Sequence, residues 1–313
     1  MKIASIDIGT NTCNLLIAEY RKNSPIKFIY KEKRAITLIN KDYKNNVISE
    51  ESASNLIHVL NTYKLTISLH KTKRVLAVAT SGIRSSYNKD SVINRIKETS
   101  GFNVNVIDGV KETELIWKGV KNAVKIYSNP ALIIDIGGGS IEFILCNDKG
   151  IIRKSSHDIG VARMMNNYNF SDPLSNENLS CIYQLLDNEL KDLLVDCKKY
   201  NLNTLIGSSG SYETFANLIK HEFSGCSISD SDLTNILEIE KFLCIYKKLI
   251  LFNEAERAKM PGMEIIRVKM IPIAAVITKY LLDNLNIRNF VQSNFSLKEG
   301  TLFDYIDSIN NPE

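Results

Sequence analysis

Two short polar turns carry the residue types that phosphate chemistry needs. Asp7-Ile-Gly-Thr-Asn-Thr12 and Asp135-Ile-Gly-Gly-Gly-Ser140 each follow one apolar, β-prone run and precede another. A glycine-rich turn between strands presents backbone N–H groups into a concavity, and such nests bind phosphate. Thr10, Asn11, Thr12 and Ser140 add side-chain donors without negative charge, and Gly137, Gly138 and Gly139 let a ligand approach the backbone. Taken singly, either turn also reads as an ordinary hairpin. Asp7 and Asp135 shift that balance, because a carboxylate at the end of an apolar strand needs a cation or donors. Beside a phosphate nest it would repel the substrate unless a divalent metal intervened. Magnesium takes one or two carboxylates plus waters and phosphate oxygens, which fits Asp135 and Asp7. Glu142 follows the second turn and could reach the same cation directly or through water.

A third loop, Gly207-Ser208-Ser209-Gly210-Ser211, has the same flavour. The three loops hold six of the chain's 15 glycines in 17 residues. Arg84 ends the stretch Thr80-Ser-Gly-Ile-Arg84 after a buried-strand signal, and strand ends are where ligands gather in α/β folds. An arginine there suits bidentate binding of phosphate oxygens, and it reads equally well as half of a surface ion pair. Glu112 and Glu114 open a helical stretch, where a glutamate is often only a partner of the helix dipole.

The elements that must position these residues alternate. Ile6-Asp-Ile-Gly9 returns as Ile134-Asp-Ile-Gly137, an offset of 128 residues, with matching apolar flanks. Such an echo indicates two related halves facing each other. Ser49 caps a predicted helix from Glu50 to about His70, Arg74–Ala79 reads as a strand, and Asn88 opens a helix that ends at Gly101. Asn103–Ile107 is a strand and Glu112–Lys125 a helix. Then come a helix from Ser175 to about Tyr200, a strand at Thr204–Ile206, and helices at Tyr212–His221, Ile239–Lys259 and Lys269–Leu285. Leu297–Ile309 is a final helix returning to the first half. The pattern predicts α/β layers with mixed sheets flanked by helices. It divides into residues 1–121 plus 297–313 and residues 122–296, hinged near 119–127.

Length and composition exclude several classes. The chain has 313 residues, 44% hydrophobic and 24% charged, within ordinary globular usage. Its net charge of +4 does not announce a nucleic-acid binder. No run of about 18 apolar residues exists to cross a bilayer, and Asp7 interrupts any secretory reading of the start. These features point to a soluble, cytoplasmic protein with neither nucleic-acid nor membrane partners. The six cysteines lack paired spacing and read as small buried thiols, not a zinc site. Residues 21–45 are locally basic, with eight Lys/Arg against two acids. That cluster fits either a solvated hairpin or attraction of a polyanion.

Together the motifs resemble those of the exopolyphosphatase and guanosine pentaphosphate phosphohydrolase family, within the actin/Hsp70/sugar-kinase superfamily. Asp7–Leu15 resembles its first phosphate motif, Ala79–Arg84 with Asn88 its second, and Asp108–Val120 its glutamate-bearing stretch. Asp135–Glu142 is nearly its D-I-G-G-G-S-T-E motif. Gly207–Ser211, Pro261-Gly262 with Arg267, and Ser296–Gly300 complete the order. Lys111, Ile141 and Lys269 depart from it.

The resemblance implies two actin-like (ribonuclease H-like) domains with the active site in the cleft between them, in the short form without extra helical domains. It implies Mg²⁺ or Mn²⁺ held by Asp135 and Glu142, with Asp7, and a homodimer by analogy. It assigns Glu112 as the base that activates water. Inorganic polyphosphate or guanosine pentaphosphate would lose its terminal orthophosphate. Rival readings are an ATP-dependent kinase of the superfamily and a non-catalytic sensor that binds the same anions.

Overall fold

In the computed structural model, residues 1–40, 43, 45–223 and 233–311 are described, and they build two mixed sheets. The first contains β1 (Lys2–Ile8), β2 (Thr12–Glu19), β3 (Lys27–Ala35), β4 (Arg74–Ala79) and β5 (Val104–Val106), in the order β3-β2-β1-β4-β5. The second contains β6 (Ala131–Ile136), β7 (Ile141–Asn147), β8 (Gly150–His157), β9 (Thr204–Ser208), β10 (Thr234–Ile236) and β11 (Asn289–Ser293), in the order β10-β11-β9-β6-β7-β8.

The sequence echo is a topological repeat. In each sheet a strand pairs antiparallel with its successor (β1 with β2, β6 with β7) and parallel with a later strand (β4, β9). The registers coincide: Asp7 lies opposite Asn14, and Asp135 opposite Glu142. One change within the repeat therefore sets a second carboxylate where the first half has an amide.

Helices cover the sheets: α1 (Glu50–Leu69), α2 (Ser81–Arg84), α3 (Lys89–Ser100), α4 (Gly109–Val120), α5 (Val161–Asn167), α6 (Asn176–Lys199), α7 (Ser209–Glu222), α8 (Ile239–Leu251), α9 (Glu254–Ala258), α10 (Ile271–Asn284) and α11 (Leu297–Asn310). Ser49 caps α1 by accepting from the Ser52 N–H, and Gly101 ends α3 in the left-handed conformation. Leu56, Leu60 and Tyr63 of α1 pack on Ile6, Ile8 and Leu15 of the first sheet. Leu186, Leu190, Phe215 and Ile277 bury the second sheet's β6 and β7. Leu302 and Ile306 of α11 pack on Ile3 and Leu16. Between the sheets lies α4, whose Leu115, Ile116 and Val120 meet Ile133, Ile144 and Cys146 of the second sheet as well as Val78 of the first.

Several elements differ from expectation. The helix read across Ile239–Lys259 is two: Phe252 is extended, and Asn253 forms a capping box with Glu256 that starts α9. The helix read from Glu112 starts at Gly109, because Asp108 accepts from the Lys111 N–H at 2.7 Å, and it stops at Val120. Ser209–Ser211 form the first turn of α7, not a loop. Thiols are not uniformly buried: Cys13, Cys146 and Cys197 are, whereas Cys244 is exposed on the face of α8 opposite Phe242, Ile245 and Leu249. Cys226 lies outside the described residues, as do Lys41, Asp42 and Lys44 of the basic cluster. Among the described residues no helix is long and apolar enough to cross a membrane.

Candidate active site

The two echoing turns close in the same way, with Gly9 N–H donating to the Thr12 carbonyl at 2.9 Å and Gly137 N–H to the Ser140 carbonyl at 3.1 Å. Their tips touch. A Cβ built on Gly138 would stand 2.2 Å from Asn11 Nδ2, and one on Gly139 would stand 2.7 Å from Thr10 Oγ1 and 2.6 Å from Ser81 Oγ. Both turns line one cavity of about 600 Å³. Because the tips are in contact, room for an anion lies alongside them and not sandwiched at their apices.

Six carboxylates line this cavity, Asp7, Glu32, Glu112, Asp135, Glu142 and Glu213, and four of them, Asp7, Glu112, Asp135 and Glu142, come from the turns, the strands that flank them and α4. Glu142, 2% exposed, accepts from Ser140 Oγ at 2.6 Å and Ser156 Oγ at 2.8 Å. Burial and the Asp135 charge push its carboxyl up to about 7. Asp135 accepts from Ser208 Oγ at 3.3 Å, and burial raises it too. Asp7 accepts from Asn14 Nδ2 at 3.1 Å, and burial holds it at about 6 against the pull of Lys298. Glu112 sits in the first turn of α4, buried, with its Oε2 2.8 Å from Arg84 Nη1. Burial and the Glu142 charge hold it well above the usual carboxylate range despite that arginine.

Cations gather beside these acids. Lys298, from the first turn of α11, stays protonated because Glu299, Glu213 and Asp7 outweigh the cost of its burial. Lys33 Nζ, from β3, bonds Glu213 at 3.0 Å and Glu264 at 2.9 Å. The Arg267 guanidinium lies so close over Gly210 that a Cβ there would stand 1.8 Å from Nη2. Lys31 and Lys33 both line the cavity, so part of the basic segment does face it.

The structure thus gathers Asp7, Thr10, Asn11, Thr12, Glu112, Asp135, Gly137, Gly138, Gly139, Ser140, Glu142, Ser209 and Gly210 around a single space. Arg84, Gly207, Ser208 and Ser211 do not line it. Arg84 is engaged behind Glu112, donating also to the Ile107 carbonyl at 3.1 Å. Ser208 is fully buried beneath Asp135, Ser211 Oγ donates to the Ile136 carbonyl at 3.4 Å, and the Tyr212 ring leaves no space for a side chain at Gly207. Ser209 adopts φ = 68°, a left-handed conformation at the start of α7, and its hydroxyl serves Asp135.

Sequence reading missed Lys33, Glu213 and Lys298 as site residues. Lys298 had a local signal: a lysine in the first turn of a helix opposes the helix dipole and needs another reason to be there. Lys33 and Glu213 meet only through the tertiary fold.

An all-oxygen set suits a hard divalent cation that keeps waters and shares phosphate oxygens. Among the described residues, no cluster of three or more His, Cys, Asp or Glu side chains forms a ready-made cage. The donors present fit such an incomplete shell, with Asp135 and Glu142 adjacent across the β6–β7 pair.

The pattern of the Ppx/GppA phosphatase family matches residues 16–309. A bifunctional 3-dehydroquinate synthase/phosphatase of Fusobacterium nucleatum is 33% identical over 292 residues, 90% of this chain, which spans 43% of that relative's length. The crystal structure of an exopolyphosphatase from Cytophaga hutchinsonii superposes with a TM-score of 0.94 at 31% identity, covering 98% of each chain. The Aquifex aeolicus Ppx/GppA family member superposes at 0.81 with 25% identity, covering 99% of each. The two sheets therefore share the actin-like architecture of those proteins, and the chain belongs to the Ppx/GppA phosphatase family.

Proposed function

We propose that this chain hydrolyses a terminal phosphoanhydride bond and releases orthophosphate from inorganic polyphosphate or guanosine pentaphosphate. The observation that carries this reading is the convergence of both glycine turns with Asp7, Glu112, Asp135 and Glu142 on one cavity. Turn amides and the hydroxyls of Thr10, Thr12 and Ser140 bind the phosphoryl oxygens. Asp135 and Glu142, with Asp7, hold Mg²⁺ or Mn²⁺, which when bound neutralises charge on the transferring phosphoryl group.

Glu112 accepts the proton of the attacking water. Burial makes its carboxylate a stronger base than a solvated glutamate, and the 2.8 Å contact with Arg84 fixes its orientation. Arg84 thereby acts on the base and not on the substrate. Lys298 lines the cavity and supplies positive charge beside the reacting phosphoryl group.

The decisive assay measures phosphate release with Mg²⁺ from long polyphosphate, tripolyphosphate and guanosine pentaphosphate, compared by kcat/KM. Release without any acceptor supports hydrolysis. Transfer only to an added hydroxyl acceptor would favour a kinase, and tight binding without release would favour a sensor.

A further inference from the structure

Glu213 is out of place in a cavity that binds polyanions. It stands on α7 one turn past Ser209-Gly210, lines the same cavity as the phosphate turns, and leaves 31% of its side chain open. Its carboxylate bonds Lys33 Nζ at 3.0 Å, while Glu264 takes the same ammonium at 2.9 Å and lies 3.7 Å from Arg267 Nε. Lys33 comes from the first sheet and both acids from the second half of the chain, so the group bridges the cavity. Arg267 Nε is buried without a hydrogen-bond partner. The cations on this side are thus already neutralised by carboxylates, yet one strong donor is left unsatisfied.

Burial would raise the Glu213 carboxyl, but Lys33, Lys298 and Arg267 together hold it down at about 2, so it is charged at every working pH. A phosphoryl group arriving here meets a fixed negative charge beside Lys33, since both side chains line the cavity. Like charges brought together in a partly desolvated site oppose binding strongly. At the reacting end Glu142 and Asp135 raise Glu112, and Asp135 raises Glu142, while Arg267 and Lys298 act on Asp135 as well as on Glu213.

We infer that Glu213 is a specificity-determining residue: by pairing with Lys33 on the cavity wall it disfavours substrates whose phosphoryl chain extends from the reacting end into this side of the cavity. Short chains escape the repulsion. Long chains must displace the carboxylate from Lys33. This rests on the proposed phosphoanhydride hydrolysis for its substrate class, but its test separates the two.

The test compares wild type, Glu213→Gln and Glu264→Gln for turnover of long-chain polyphosphate and tripolyphosphate. In parallel, calorimetry reads binding of both anions in a Glu112→Gln background, so the answer does not depend on turnover. In Glu213→Gln, affinity for the long chain should rise about tenfold relative to tripolyphosphate, the scale of one partly screened charge. Glu264→Gln should shift the ratio the same way by less, because Glu213 remains. An unchanged or falling ratio in a folded Glu213→Gln overturns the role of Glu213, even if every protein releases phosphate. Absence of release in wild type, with the binding ratio shifted as expected, would contradict the hydrolytic reading and leave the role of Glu213 standing. Thermal melting identifies any variant that fails to fold, and the other variant then decides.

Discussion

Gly119 of α4 and Gly300 of α11 face each other at a helix crossing too close for any side chain. A Cβ on Gly300 would stand 1.7 Å from the Leu115 carbonyl oxygen, and one on Gly119 would stand 2.2 Å from the Ser296 carbonyl oxygen. The crossing fixes the two helices whose first turns carry Glu112 and Lys298 into the cavity. Backbone, not flexible side chain, lies in the way, so substitution must part the helices.

Gly300→Ala should therefore lower Tm by several degrees, on the scale of the roughly 1–3 kcal/mol typical of overpacking. It should also lower kcat, because a shift of one helix moves the base relative to the bound phosphate. Melting and steady-state kinetics on the purified variant check both. An unaltered Tm would mean that the helices are not held at this distance.

Arg84→Ala offers a direct separation of two roles. If Arg84 positions and tunes Glu112, its loss removes the charge that pulls the Glu112 carboxyl down. The base is then ionised only at higher pH, and the ascending limb of the pH–rate profile moves to higher pH. Raising the pH should restore part of the lost kcat. A large rise in KM with an unmoved profile would assign Arg84 to substrate instead.

Glu142→Gln should stabilise the metal-free protein at alkaline pH. A carboxyl held up to about 7 in the folded state, against 4.5 unfolded, stabilises the fold fully below 4.5, and that contribution is lost as pH rises through 7. The amide keeps acceptor capacity for Ser140 and Ser156 without the charge. Its Tm advantage over wild type should be a few degrees near pH 8 and vanish near pH 4. Added Mg²⁺ should raise the Tm of wild type and leave that of the variant nearly unmoved.

Ser209→Gly tests strain held at the site. A serine at φ = 68° costs about 1–2 kcal/mol that glycine does not. The variant should melt a few degrees higher, while activity falls because Asp135 loses a hydroxyl donor. A gain in both stability and kcat would contradict a role for that hydroxyl.

Much of this was legible in the sequence because it is local. Gly9 and Gly137 close identical turns, and the 128-residue echo maps onto two sheets of the same strand succession. The register that sets Glu142 opposite Asp135 follows from the turn length alone. What stayed hidden depends on approach between distant segments. Gly207 looks like a phosphate-loop glycine but makes room for the Tyr212 ring. Arg84 looks like a phosphate ligand until Glu112 arrives from another helix to accept its Nη1. Lys33 belonged to a basic run that read as either surface or substrate face. Only the pairing with Glu213 and Glu264 shows which way that lysine points.

The base assignment is tested most directly by Glu112→Gln, assayed with Mg²⁺ and polyphosphate at saturating substrate. The variant keeps the size of the side chain and an acceptor for Arg84, but it cannot take a proton. The account predicts a fall in kcat on the order of 10²–10⁴-fold, with KM little changed. Near-full activity would contradict it.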